Sequence, residues 1–303
     1  MIVNKLPRSI ESGSFSTRFL YSTILIHQVI TAIAFPVAKL GLNEIEPYTY
    51  AFLRFIISSA IYAPILFHLR KRKLIPIRDH FRIFLLGLII IPLNQVIYLV
   101  GQSLTLASHS GLLFAMVPIF IYLLAVIFLR EKPTVRRSAG IIIAFSGVYI
   151  ILSGGKIEYD TNYILGDLLV LMAVVAWAAA TVMAKPLALK YGAFRVTGLA
   201  LLYGSVLYLP YGFYRALSFD FGHVTWMGWF SVLYMAILVS ILAYFLWYWL
   251  LKNMEASRLA IMQNIQPIIA AAVAAVTLAE PISRAFVIGG IIALAGVIIT
   301  EIK

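Results

Sequence analysis

The 303-residue chain contains no cysteine, and only 12% of its residues are charged. Without cysteine there is no disulfide framework, no thiolate metal site and no cysteine nucleophile. Soluble domains carry about 25% charged residues, so a chain this poor in charge cannot dress a water-facing surface. Acids are the scarcer sign, with 12 Asp+Glu against 24 Lys+Arg. None falls in the middle of an apolar run; Asp167 and Glu280 come nearest, and both belong near run ends. Ion-coupled carriers commonly place a carboxylate at depth. Its lack disfavours proton coupling and leaves His27 as the remaining proton carrier. Enzyme signatures are missing too. There is no HExxH and no carboxylate pair, and adjacent Ser108 and His109 point apart on a helix. Gly154-Gly155-Lys156 lacks P-loop spacing and context. No catalytic residue, metal site or cofactor is assigned, and the chain is not read as an enzyme.

What is abundant is apolar. Hydrophobic residues make up 62% of the chain, and mean hydropathy is +0.97. A helix needs about 20 mainly apolar residues to cross the ~30 Å hydrocarbon layer. Ten segments meet that need: 17–38, 47–69, 81–103, 107–129, 135–153, 164–184, 193–215, 225–250, 256–279 and 283–300. They are too long, and alternate too little, for barrel strands. No small-residue cleavage site follows the first, which reads as a retained helix rather than a signal peptide.

The net charge of +12 invites an anionic partner such as nucleic acid. Sorted by loop, 19 of the 24 basic residues fall on one side of the ten spans, the densest group running from Arg70 to Arg82. Lys and Arg concentrate in cytoplasmic loops. The excess therefore reports orientation, with both termini cytoplasmic, and nucleic acid is excluded as a partner. Trp226 and Trp229 then fall at the outer interface and Trp249 near the inner one.

The chain also repeats itself. An offset of 149 maps Ala107-Ser108 onto Ala256-Ser257, Pro118 onto Pro267, Glu131 onto Glu280, Gly140 onto Gly289 and Gly147-Val148 onto Gly296-Val297. It also maps Ile142-Ile143-Ala144 onto Ile291-Ile292-Ala293. Lys39 and Lys185 close spans 1 and 6 at an offset of 146. Each half thus holds five spans, and because five is odd the halves enter the membrane from opposite sides. The expected fold is all-α and integral to the membrane: ten transmembrane helices as two inverted five-helix repeats, over 17–153 and 164–302. Such repeats place a substrate site near the midplane between two halves that rock about it.

These residues carry a resemblance. Ala-Ser, a step of eleven to Pro, Glu at the span end, then Gly and Gly seven apart occurs twice. The pattern resembles the EamA-type repeat of the drug/metabolite transporter superfamily, from Phe19 to Ile302. Lysines ending spans 1 and 6, Trp177 in span 6, and Pro47 with Arg54 opening span 2 agree with it. The resemblance implies a ten-helix unit in a bacterial inner membrane that exports small metabolites or facilitates their movement. Amino acids, amines, purines, sugars and sugar phosphates are all within the family's range. A lipid or lipid-linked-metabolite flippase is the alternative. Two departures are Thr31, where the family usually has tryptophan, and the missing basic pair of the phosphate-carrying branches.

Polar side chains inside spans face the bundle interior or a wet cavity. Asn94, Tyr98 and Gln102 in span 3 share one helical face at i, i+4 and i+8. They form either a cavity wall or glue to other helices. Tyr244 and Trp247 in span 8 correspond through the repeat to Gln95 and Tyr98, and their rings suit planar or cationic ligands. Trp247 fits an interfacial belt equally well. Gln263 and Asn264 sit one turn before Pro267, whose missing N–H frees a carbonyl. His27 in span 1 and Trp177 in span 6 lie at similar depth. These nine residues are the candidate contacts for a small-molecule substrate. Arg54, roughly 10 Å along span 2 from Pro47, is expected to snorkel outward or pair with Glu44 or Glu46; attraction of a substrate carboxylate comes second. His109 is expected to be solvated, and Lys39 and Lys185 interfacial. Small-residue faces at Gly140, Ala144, Gly147 and at Gly289, Ala293, Gly296 suit close helix contact, within the bundle or in a homodimer. The unit is accordingly a monomer or a homodimer in a lipid bilayer.

Overall fold

The computed structural model describes residues 17–68, 74–129, 134–153, 161–253 and 266–301. Among the described residues all regular structure is helical, as a chain crossing lipid requires, because a helix satisfies its own backbone polar groups. Seven helical stretches are long and apolar enough to cross a membrane, the longest being Thr161–Tyr191. Three shorter apolar stretches, Ser138–Ile150, Gln266–Thr277 and Arg284–Ile299, accompany them.

The chain opens with α1 (Thr17–Leu42) and α2 (Pro47–His68). A continuous rod follows, made of α3 (Ile77–Leu88), a π-helical segment (Ile89–Val96) and α4 (Ile97–Leu104). Next come α5 (Ala107–Phe114), α6 (Val117–Leu129) and α7 (Val135–Ser153). The second half begins with α8 (Thr161–Tyr191) and α9 (Ala193–Leu217). A second rod then joins α10 (Trp226–Leu233), a π-helical segment (Tyr234–Ala243) and α11 (Tyr244–Asn253). Finally α12 (Gln266–Thr277) and α13 (Arg284–Glu301) close the chain.

Each half carries its π segment in the third of its apolar stretches. In the first, Pro92 lacks the N–H that an α-helical turn would use. In the second, the Ser240 hydroxyl donates to the Met235 carbonyl five residues back, at 3.0 Å. Such bulges cluster at functional sites because they re-aim side chains. The α5–α6 junction has a related cause. Pro118 removes the bond that would reach the Phe114 carbonyl, and Ala115 and Met116 instead make tight bonds to Leu112 and Leu113.

Equivalent helices of the two halves pack antiparallel to each other. Ser59 on α2 donates to Ser205 on α9 at 2.8 Å, and the two lie 146 residues apart. On either side of that contact Leu66 meets Gly198 and Phe52 meets Gly212. α7 and α13 form the most extensive helix pair in the molecule. There Gly147 abuts the backbone of Gly289 and Ala293, while Gly296 abuts Gly140 and Ala144. A Cβ at either glycine would strike backbone rather than a side chain able to move. The small-residue faces therefore pack against each other inside the bundle. Antiparallel pairing of equivalent helices is what a repeat of inverted topology produces.

Candidate functional site

A cavity of about 70 Å³ lies between the halves, where one water needs about 10–15 Å³. The first half lines it with His27, Thr31, Ala34, Phe35, Arg54, Gln95, Tyr98 and Phe114. The second half supplies Trp177, Met235, Val239, Tyr244 and Gln266. Both π segments reach it, through Gln95 and through Met235 and Val239.

Arg54 dominates the site. Its side chain is fully buried, at 0% exposure. Nε donates to Ser240 Oγ at 2.8 Å and Nη1 donates to Gln95 Oε1 at 2.7 Å. The guanidinium thus bridges the π segment of one half to that of the other. Nη2 makes no hydrogen bond among the described residues. Among the described residues no carboxylate pairs with this arginine. Burying a charge in this way costs several kcal/mol unless a counter-charge is supplied. The outward pairing expected from the sequence is overturned, because both acids are otherwise engaged. Glu46 accepts from Arg215 and from Thr49 Oγ1, and Glu44 accepts from the Thr225 amide and hydroxyl.

The aromatic candidates lie together. Trp177 and Tyr244 line the cavity with ring centroids 5.1 Å apart. Trp247 is buried behind them, 6.3 Å from Trp177 and stacked on His27 at 5.4 Å. It is an interior residue of the bundle and not part of an interfacial belt. His27 Nδ1, Tyr244 Oη and Trp247 Nε1 all lack hydrogen-bond partners.

Of the stripe in span 3, Tyr98 alone lines the cavity. Asn94 is fully buried, donates through Nδ2 to the Ala173 carbonyl of α8 at 2.6 Å, and accepts from Gln95 Nε2. Gln102 donates through Nε2 to the Phe35 carbonyl of α1 at 3.2 Å. Gln95, the neighbour of Asn94 in the π segment, takes the cavity-lining place that the stripe gave to Asn94. Gln263 and Asn264 lie outside the described residues. Their near neighbour Gln266 does reach the cavity, donating to Thr31 Oγ1 at 2.9 Å and to Gln28 Oε1. Sequence reasoning ranked a substrate role for Arg54 second, and it left Gln95, Thr31, Phe35 and Gln266 out of the candidate contacts. A basic residue two turns inside an apolar helix is the signal that pointed to Arg54.

A second buried polar cluster joins α1, α4, α5 and α8. Lys39 Nζ donates to the carbonyls of Gln102, Ser103 and Thr105 at 3.0, 2.9 and 2.7 Å, closing the C-terminus of α4. Thr105 Oγ1 donates to Asp167 Oδ1 at 2.5 Å, and His109 Nδ1 lies 3.0 Å from Asp167 Oδ2. Glu280 caps the start of α5, accepting from the Ala107 amide at 2.7 Å and from the Ser108 amide and hydroxyl at 3.1 and 2.8 Å. His109, stacked on Phe286 at 5.7 Å, is held inside the bundle rather than solvated. Lys39 is likewise half-buried and serves as a helix cap.

The family model described as the EamA-like transporter family matches residues 18–153 and again 164–302. The chain is 29% identical to the uncharacterized transporter YetK of Bacillus subtilis (strain 168), covering 93% of this chain and 87% of that protein. It is 30% identical to an uncharacterized transporter of Archaeoglobus fulgidus, over 89% of this chain and 94% of that one. A probable terminal-alkyne amino-acid exporter of Streptantibioticus cattleyicolor is 29% identical, with 91% of both proteins covered. One crystal structure superimposes with a TM-score of 0.63 at 16% identity, covering 92% of this chain and 95% of that chain, which is a likeness of fold.

Proposed function

The chain belongs to the EamA-like transporter family, and from that premise we propose that it moves small organic metabolites, amino acids among them, by alternating access around the central cavity. It is a multi-pass membrane protein. The observation that carries the proposal is the shared wall: both halves line one cavity, and Arg54 of the first half is bonded to Ser240 of the second. Two inverted halves can rock about such a site, opening it first to one face and then to the other. A ligand biases the exchange only by contacting the two conformations differently. Contacts that span both halves are suited to that. The substrate contacts are His27, Tyr98, Trp177 and Tyr244 on the cavity wall, with Trp247 behind them and Asn94 and Gln102 holding the wall in place. Gln263 and Asn264 complete the proposed set from the segment ahead of α12. The likeness to an amino-acid exporter supports the substrate class. Acid-free lining among the described residues supports facilitated movement or exchange. The distribution of Lys and Arg among the loops supports an orientation with both termini in the cytoplasm.

Purified protein in proteoliposomes tests the proposal with radiolabelled amino acids and a fluorescent lipid side by side. Saturable amino-acid flux is expected, with lipid translocation at the level of empty vesicles. Lipid movement without flux of any amino acid would overturn the metabolite reading in favour of a flippase.

A further inference from the structure

The cavity holds a buried cation with a donor to spare and, among the described residues, no acid to meet it. Gln95 Oε1 and Ser240 Oγ are neutral acceptors, and they fix the guanidinium by Nη1 and Nε. Its remaining edge, Nη2, is unpartnered in a side chain with no exposure. The Tyr244 hydroxyl, also buried, interacts with Arg54 but makes no well-formed hydrogen bond among the described residues. Two unsatisfied polar groups therefore converge, one of them a permanent cation. Buried polar groups left unpaired in a protein call for a partner from outside it, and a planar guanidinium matches a carboxylate in shape and charge. Beside them stand the faces of Trp177 and Tyr244, at 5.1 Å and tilted by 44°, which offer area rather than hydrogen bonds.

Resting on the transport reading above, we infer that Arg54 and Tyr244 bind the carboxylate of the substrate, so that this chain takes small organic monocarboxylates with an apolar or aromatic remainder. The amino group of an amino acid is then dispensable, because the described lining residues include no acid to receive it. Amines and other cations lacking a carboxylate are repelled by the same guanidinium. The position of Arg54 also links recognition to movement. The group that meets the carboxylate is the one tying the π segment of the first half to that of the second, so neutralising it acts where the halves join.

Four probes of one skeleton separate the possibilities: 3-phenylpropionate, L-phenylalanine, L-phenylalaninamide and 2-phenylethylamine. Binding is read by ligand-induced thermal shift on the full chain in detergent, and flux is read separately in proteoliposomes. Both acids are expected to bind at least tenfold more tightly than the amide and the amine. Arg54→Gln should erase that preference, Arg54→Lys should keep part of it, and Tyr244→Phe should weaken the acids alone by about threefold to tenfold. Should Arg54→Gln fail to fold, the wild-type acid-to-amide ratio and Tyr244→Phe still decide. Amide or amine binding as tight as the acids, binding of none of the four, or an acid preference surviving Arg54→Gln would each overturn the inference. Acid-selective binding without flux of any solute would uphold it and defeat the transport reading. Flux without acid preference would do the reverse.

Discussion

The cavity around Arg54 and the cluster around Asp167 are built from the same kinds of residue and differ in how completely they are paired. In the cluster, Asp167 meets a hydroxyl on one oxygen and an imidazole on the other. Glu280 receives three donors, and Lys39 caps three carbonyls. In the cavity, Arg54 Nη2, Tyr244 Oη, Trp247 Nε1 and His27 Nδ1 make no hydrogen bond among the described residues. A satisfied buried network stabilises and specifies a fold, whereas an unsatisfied one costs free energy for as long as nothing occupies it. The difference separates scaffold from site. Substitutions in the cluster should register as stability, and substitutions in the cavity as affinity.

The largest expected effect on stability is that of Asp167→Ala. It strands Thr105 Oγ1 and His109 Nδ1 inside the bundle, at a cost of about 3 kcal/mol for two orphaned groups. The thermal midpoint in detergent should fall clearly, while flux per folded molecule stays near wild type. Glu280→Ala should follow at about 2 kcal/mol, the cost of losing a strong helix cap, read by the same melt. Lys39→Met removes a cation from a helix C-terminus and should cost about 1 kcal/mol. Tyr244→Phe should change stability least, within about 0.5 kcal/mol and with either sign, because deleting a group that already lacks a partner leaves nothing newly orphaned. A Tyr244→Phe melt as depressed as that of Asp167→Ala would erase the distinction between the two regions. The complementary test is Tyr98→Ala, which should raise the apparent KM for flux about tenfold. Unchanged affinity there would remove the one span-3 stripe residue that reaches the cavity.

The helical class and the twofold repeat are legible in the residues because both are linear properties. Apolar length sets the span, and the 149-residue offset is visible wherever Gly147-Val148 and Gly296-Val297 are compared. That those glycines pack closely was legible too, but the choice between a partner within the bundle and one in a homodimer came from the fold, which sets α7 against α13. The site was legible only in outline. Asn94, Tyr98 and Gln102 line up under an α-helical period, but Asn94 and Gln102 spend their side chains on carbonyls of α8 and α1, and only Tyr98 reaches the cavity. Arg54 was misplaced for a different reason. Two acids lie near it in sequence, yet Arg215 and Thr225 come from the second half to occupy them.

By itself, then, the sequence determined that this protein lives in a membrane, that it is helical, and that it is two copies of one unit. Scarce charge, long apolar runs and a fixed offset require no knowledge of contacts. Only the tertiary structure decided which of the few buried polar groups are satisfied. Pairing is a relation between residues far apart in the chain, such as Arg54 and Ser240, 186 positions apart. A deep arginine reads as a snorkelling group until the fold brings two π segments to either side of it and leaves one edge bare.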